Sequence, residues 1–178
     1  SNGAGLIGIS LMTNFFHNVV QLTNRLKKLN IPILWGGIHA TIRPEECLNY
    51  ADLICVGESE ETIVELAERM KDGRDYYNLQ GLWFKDQGKL VANEIRPLRE
   101  NLDILPFPDY EYKTHYILDG KEIRQMREEL LLKYTYGAYL TMPTRGCPFG
   151  CSYCCNNILN KIYGNRSIRK RSVGNIIN

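Results

Sequence analysis

The chain has 178 residues, enough for one domain and part of a second, and its 44 % apolar and 24 % charged shares suit a globular protein. A net charge of +2 gives no global electrostatic case for nucleic acid or membrane binding, and no apolar run approaches the roughly 20 residues that span a bilayer. The start lacks the basic and apolar regions of an export signal, so a cytoplasmic location is expected and the six cysteines call for a reading other than disulfides.

Residues 3–80 alternate strand and helix. Leu6-Ile7-Gly8-Ile9-Ser10 is a short apolar run suited to a buried parallel strand. Val19, Leu22, Leu26 and Leu29 recur at spacings of three and four, which predicts one face of a helix. Ile31 to Trp35 reads as the next strand, ended by Gly36-Gly37, and Pro44 opens a short helix. Asp52 to Val56 is a third strand, closed by Gly57-Glu58. Ser59 then caps a long helix with Glu60 and Glu61 in its first turn, Arg69 and Lys71 in its last, and Gly73 beyond. Strands alternating with helices imply a parallel sheet. After Gly73 the pattern changes. Leu82-Trp83-Phe84 and Leu90-Val91-Ala92 flank Asp86-Gln87-Gly88-Lys89 and predict a hairpin. Arg96 to Tyr112, with Pro97, Pro106 and Pro108, reads as a linker. Ile123, Met126 and Leu130 predict a connecting helix, and Ala138 to Thr144 a strand running into a cysteine cluster. Lys161, Arg166, Arg169, Lys170 and Arg171 form a basic run that reads as a solvated face.

Four cysteines fall between Cys147 and Cys155. In Cys147-Pro-Phe-Gly-Cys151-Ser-Tyr-Cys154, three residues separate the first two thiols and two the next pair, so one loop can wrap three thiolates around one metal centre. Thiolates are soft donors that suit Fe–S clusters and zinc. Three ligands leave one coordination position open, as a catalytic centre requires. Cys155 is set apart, because adjacent side chains diverge along the backbone. A structural zinc loop and a redox dithiol are the rival readings of these residues.

Arg145-Gly146-Cys147-Pro148-Phe149-Gly150-Cys151-Ser152-Tyr153-Cys154 resembles the signature of radical S-adenosylmethionine (SAM) enzymes. The resemblance implies that Cys147, Cys151 and Cys154 hold three irons of a [4Fe–4S] cluster after the first strand of a (βα)6 partial barrel. It places Tyr153 near the adenine of SAM, which the open iron chelates and an electron from the cluster cleaves to a 5′-deoxyadenosyl radical. No catalytic residue beyond the cluster ligands is implied. Trp35-Gly36-Gly37-Ile38-His39-Ala40-Thr41 with Pro44-Glu45-Glu46, and Val56-Gly57-Glu58-Ser59-Glu60-Glu61-Thr62, resemble the cobalamin-binding domain that precedes many such cores. Leu105-Pro106-Phe107-Pro108 resembles the linker between the two. This makes Ser10, Gly36, Gly37, His39, Gly57 and Glu58 the candidate cobalamin contacts. Ligands of open parallel sheets do sit at the carboxyl ends of strands, where glycines let backbone approach them.

The fold expected is therefore α/β: a partial, Rossmann-like (flavodoxin-like) parallel-sheet domain over 3–80, a hairpin, linker and helix over 81–135, and the start of the radical SAM core over 136–178. The resemblance implies that two further βα units and most of the barrel lie outside these residues, so that the fragment would be inactive alone and bind cobalamin weakly. In the flavodoxin-like order, Leu6–Ser10 then becomes an edge through which the fragment is expected to self-associate. The function implied is methyl transfer or a radical rearrangement or cyclisation on a small-molecule substrate, with an external electron donor. Magnesium-protoporphyrin monomethyl ester cyclases are one subfamily of that layout. The alternatives are a radical SAM methylthiotransferase, whose front domain would need three cysteines where this chain has only Cys47 and Cys55, and a non-catalytic cobalamin- or zinc-binding module.

Overall fold

The computed structural model describes residues 3–109, 111–138 and 141–177. The chain forms two compact units, one from the residues up to Arg99 together with Cys147–Arg166, the other from Glu100–Gly146 with Ser167 onward.

The first unit is a five-stranded sheet in the order β1-β2-β3-β4-β5. Strand β1 (Ile7–Ser10) leads to helix α1 (Phe16–Leu26), β2 (Ile33–Gly36), α2 (Ile38–Ile42), α3 (Pro44–Cys47), β3 (Leu53–Cys55) and α4 (Glu60–Lys71). β1, β2 and β3 are parallel, in register Ile7↔Ile33 and Leu34↔Leu53. Alternation along β2 and β3 sends Ile33, Trp35, Ile54 and Val56 into one core, with Phe16, Val19 and Ala40, and Leu34, Leu53 and Cys55 into the other, with Leu66 and Leu82. Each large apolar side chain so buried contributes about 1.5–3 kcal/mol. Trp35 is fully buried, and its indole N–H donates to Thr23 Oγ1 at 3.0 Å.

The buried stripe of α1 runs through Phe16, Val19 and Thr23, while Leu22 and Leu29 are exposed. A helix forms where the spacing predicts one, but the expected face is corrected: the buried stripe is rotated toward the aromatic Phe16, and Leu29 lies beyond the end of the helix. The hairpin β4 (Leu82–Asp86) and β5 (Lys89–Ala92) joins the same sheet, β4 pairing antiparallel with β3. Its two-residue turn, Gln87-Gly88, has φ of 47° and 81°, the positive pair that matches strand twist. Beyond the hairpin, Arg96 pairs with Glu61 and Glu65 of α4, and Arg99 with Glu61. Those guanidiniums hold both carboxyls below their ordinary range, Glu61 chiefly through Arg99 and Glu65 chiefly through Arg96. Helix α6 (Cys155–Tyr163) completes this unit.

The second unit holds a hairpin of β6 (Tyr116–Asp119) and β7 (Glu122–Gln125), then α5 (Glu128–Thr135), β8 (Thr144–Arg145), β9 (Arg169–Lys170) and α7 (Val173–Ile177). The helix expected around Ile123, Met126 and Leu130 is corrected here: Ile123 lies in β7, exposed, and the helix starts at Glu128. Three apolar residues were too few to fix a period, and the Gly120 turn at φ 65° folds the segment back on itself. Of the strand expected over Ala138 to Thr144, residues 139 and 140 lie outside the described residues. Among the described residues of that segment only Thr144–Arg145 is strand, and its described partner is the antiparallel β9.

The basic run is not a uniformly solvated face. Arg169 and Arg171 are buried and Lys170 between them is exposed. The Arg171 guanidinium donates to the carbonyls of Leu105 (2.9 Å) and Pro106 (3.1 Å) and to Asn175 Oδ1 (2.9 Å), and lies 4.6 Å from the Phe107 ring centre. It thus grips the proline-rich linker. Arg171→Leu strands two carbonyls that now receive charge-assisted bonds, a loss of about 2–4 kcal/mol. Thermolysin should then cut at Leu102–Leu105 at least about tenfold faster, and Arg171→Lys, a point charge without the fork, should recover only part of the protection. Unchanged cleavage would refute the clamp.

Candidate functional site

The carboxyl ends of β1, β2 and β3 carry most of the candidate cobalamin contacts. Gly37 follows β2 with φ 86°, and a Cβ there would lie 2.7 Å from Ser10 Oγ and 2.9 Å from both Leu11 N and Leu11 O. Its bareness therefore lets the β2–α2 turn close on the loop after β1, where Leu11 N–H donates to Gly36 O (3.0 Å) and His39 N–H to Leu11 O (3.2 Å). Ser10 is exposed with its hydroxyl beside Gly37. A Cβ on Gly36 would meet only Cys55, at 3.8–3.9 Å, an ordinary contact. Thr41, which no sequence signal singled out, ties two strand ends together. Its hydroxyl donates to Gly37 O (3.0 Å) and accepts from Gly57 N–H (3.1 Å). Gly57 has φ 97°, and Glu58 N–H donates to the hydroxyl of Tyr163 at 2.7 Å.

His39 is buried at 4 % exposure, with Nδ1 3.0 Å from Thr13 Oγ1 and its ring 4.7 Å from that of Phe16. Its Nε2 has no hydrogen-bond partner among the described residues. Burial lowers its pKa, Arg43 adds to that, and Glu46 opposes it. The Glu46 carboxylate, 3.8 Å from Nε2, is too distant for a hydrogen bond, and a neutral imidazole makes no ion pair with it. Because the folded pKa lies below the unfolded value of about 6.5, the unfolded chain takes up the proton first. The neutral ring's contribution to stability is complete above that value and is lost as pH falls through the folded pKa. The thermal midpoint should drop as pH is lowered below about 6.5, and His39→Gln should flatten that drop. An equal pH dependence in both proteins would show that another group is responsible.

The cysteine segment lies between β8 and helix α6 (Cys155–Tyr163). All six cysteines are free thiols. Cys147 and Cys154 are half-buried, and Cys151 and Cys155 exposed. Cys154 is the N-cap of α6 in extended conformation, and its N–H donates to Cys151 O at 3.2 Å, which turns the loop. Buried Asn160 donates from Nδ2 to Cys147 O (2.8 Å) and Phe149 O (3.4 Å). An asparagine on the apolar stripe of a helix was the sequence signal for it, and it went unread. Gly146 has φ 99°, and a Cβ there would collide with the Ser167 carbonyl oxygen. Tyr153 is 91 % exposed.

Among the described residues no three His, Cys, Asp or Glu side chains are gathered for a metal ion, so the three expected ligands share a loop without converging on one point. The donor chemistry still fits a cluster: three free thiols, none fully buried, on a turn fixed through its carbonyls rather than its sulfurs. Cys47 and Cys55 differ. Both are buried, which pushes their thiols up to about 12 and about 11 respectively, and they pack in the two cores.

Residues 1–67 match the family described as the B12 binding domain. The chain is 28 % identical over 160 residues to an uncharacterized methyltransferase of Pyrococcus horikoshii, covering 86 % of this chain and 32 % of that protein. It is 27 % identical over 158 residues to the anaerobic magnesium-protoporphyrin IX monomethyl ester cyclase of Synechocystis sp., covering 84 % and 28 %. These matches support the cobalamin-binding-domain radical SAM family for this chain, through the B12 binding domain of residues 1–67. It spans about a third or less of the length of these curated relatives. The fold is that of the family, too: the radical SAM methyltransferase TsrM of Kitasatospora setae, with tryptophan and a SAM analogue bound, aligns over 98 % of this chain and 34 % of its own, with TM-score 0.65 and 15 % identity. Its front part is thus a cobalamin-binding α/β domain, and cobalamin is the cofactor of that domain class. No described helix is long and apolar enough to cross a membrane.

Proposed function

We propose that this chain is the part of a cobalamin-dependent radical SAM enzyme that carries both the cobalamin-binding sheet and the cluster-binding loop. The observation that carries the reading is that the Cys147–Cys154 loop and α6 belong to the same compact unit as the B12-binding domain. Cys147, Cys151 and Cys154 would hold a [4Fe–4S] cluster, leaving one iron for SAM, and Tyr153 would lie along the adenine. When bound, the cluster supplies the electron that cleaves the sulfonium of SAM, and cobalamin supplies a methyl carrier. The carboxyl ends of β1–β3, with Ser10, Gly36, Gly37 and Gly57-Glu58, would receive the cobalamin. His39, neutral and packed on Phe16, would support the Thr13 loop beside them. The reaction class is methyl transfer or radical rearrangement or cyclisation of a small molecule, with an external electron donor.

Iron and sulfide analysis after anaerobic reconstitution tests the reading. About four of each per chain, with an absorbance change on adding SAM, is the expected result for this cluster type. One zinc per chain with no sulfide would replace it by the structural-zinc module. A methylthiotransferase is disfavoured by Cys47 and Cys55, because inert core thiols make poor ligands for a second cluster.

A further inference from the structure

We propose that Tyr163 is a positioning residue that registers helix α6, and the cysteine loop at its start, against the carboxyl end of β3. The inference rests on the reading of that loop as the cluster site. Helix α6 starts at Cys155, directly after Cys154, and its last residue is Tyr163. Three residues before that end, Asn160 holds the loop through Cys147 O (2.8 Å) and Phe149 O (3.4 Å). At its end, the Tyr163 hydroxyl accepts from Glu58 N–H at 2.7 Å and sits where a side chain on Gly57 would be, with Cζ 3.3 Å from that Cβ position. Gly57 N–H and Gly37 O meet at the Thr41 hydroxyl, so the end of β3 that Tyr163 touches is itself tied to the end of β2. Asn160 and Tyr163 are i, i+3 neighbours within one turn of α6, so the contact with the loop and the contact with the end of β3 lie on the same side of the helix. Gly57 is thus glycine for two reasons: its φ of 97° and the hydroxyl that fills its vacancy. The hydroxyl contact joins positions far apart in sequence, which sets the spacing between the candidate cobalamin face and the candidate cluster loop.

The test uses the whole chain with Tyr163→Phe, Gly57→Ala and the double variant. Tyr163→Phe removes the acceptor and should speed exchange of the Glu58 amide by about tenfold. Gly57→Ala drives the hydroxyl out and should do the same, while the double variant should exchange no faster than either, since both remove one contact. After anaerobic reconstitution, Tyr163→Phe should retain its iron but give an altered electron paramagnetic resonance spectrum of the reduced cluster, with the thermal midpoint lowered by no more than the loss of one hydrogen bond. Additive exchange effects, or an unchanged Glu58 amide, would overturn the contact. An unaltered spectrum beside faster Glu58 exchange would overturn the positioning role. A wild-type chain that assembles no cluster defeats the cluster reading instead, and the comparison then passes to the amides of Cys147–Cys154, whose unchanged exchange in Tyr163→Phe would overturn the proposal.

Discussion

Replacing Cys147, Cys151 or Cys154 by alanine is expected to abolish the visible absorbance of the anaerobically reconstituted chain, and replacing Cys155 to leave most of it. The first three thiols lie on the loop itself, two half-buried and one exposed, and Cys154 is held in extended conformation as the helix cap. Cys155 starts the helix, so its side chain follows the helical direction and departs from that of its neighbour. None of the four makes a core contact, and substitutions at such positions are usually within about 0.5 kcal/mol in stability. Lost absorbance would therefore report lost ligation rather than unfolding, which circular dichroism on the same samples checks. An absorbance that survives Cys151→Ala but not Cys155→Ala would overturn the ligand set. Because metal ligation organises such loops, the cluster-free chain should also show faster proteolysis at Pro148–Tyr153 than the reconstituted one.

What the sequence made legible follows from how each signal arises. The parallel strands were readable because a strand buried on both faces must be apolar throughout, as Ile33-Leu34-Trp35 and Leu53-Ile54-Cys55 are. The Gln87-Gly88 turn was readable because its backbone needs positive φ, though not that β4 would extend the sheet through β3. Arg169 and Arg171 were misread because charge implies solvent, whereas linker carbonyls and the Phe107 ring take up the Arg171 guanidinium. Thr41 entered only as the last residue of a longer resembling segment, with no role of its own, and Tyr163 left no trace. Their partners lie 16 and 105 residues away, and nothing in local spacing encodes such a pairing. The candidate site was thus legible as glycines and thiols, and illegible as the hydroxyls that hold them in place.

The two glycines after Trp35 should separate when each is changed to alanine. At Gly37 the new Cβ would stand 2.7 Å from Ser10 Oγ and 2.9 Å from backbone atoms of Leu11, on a residue at φ 86°. Left-handed strain of about 1–3 kcal/mol and overpacking of about 1–3 kcal/mol act together there. Neither Leu11 N nor Leu11 O can yield easily, since each is already hydrogen-bonded to the β2–α2 turn. Gly37→Ala should therefore cost about 2–6 kcal/mol, a large part of a typical domain's stability, and show it in a urea melt. At Gly36 the Cβ meets only Cys55 at 3.8–3.9 Å in extended backbone, so Gly36→Ala should stay within about 1 kcal/mol of the parent. That difference makes Gly36 the cleaner probe of the cofactor. A folded Gly36→Ala chain should bind hydroxocobalamin more weakly than the parent in a titration followed by dialysis and absorbance. Equal binding by the two would remove Gly36 from the cobalamin face, and a Gly37→Ala chain as stable as the parent would mean that the β2–α2 turn is not closed on Leu11.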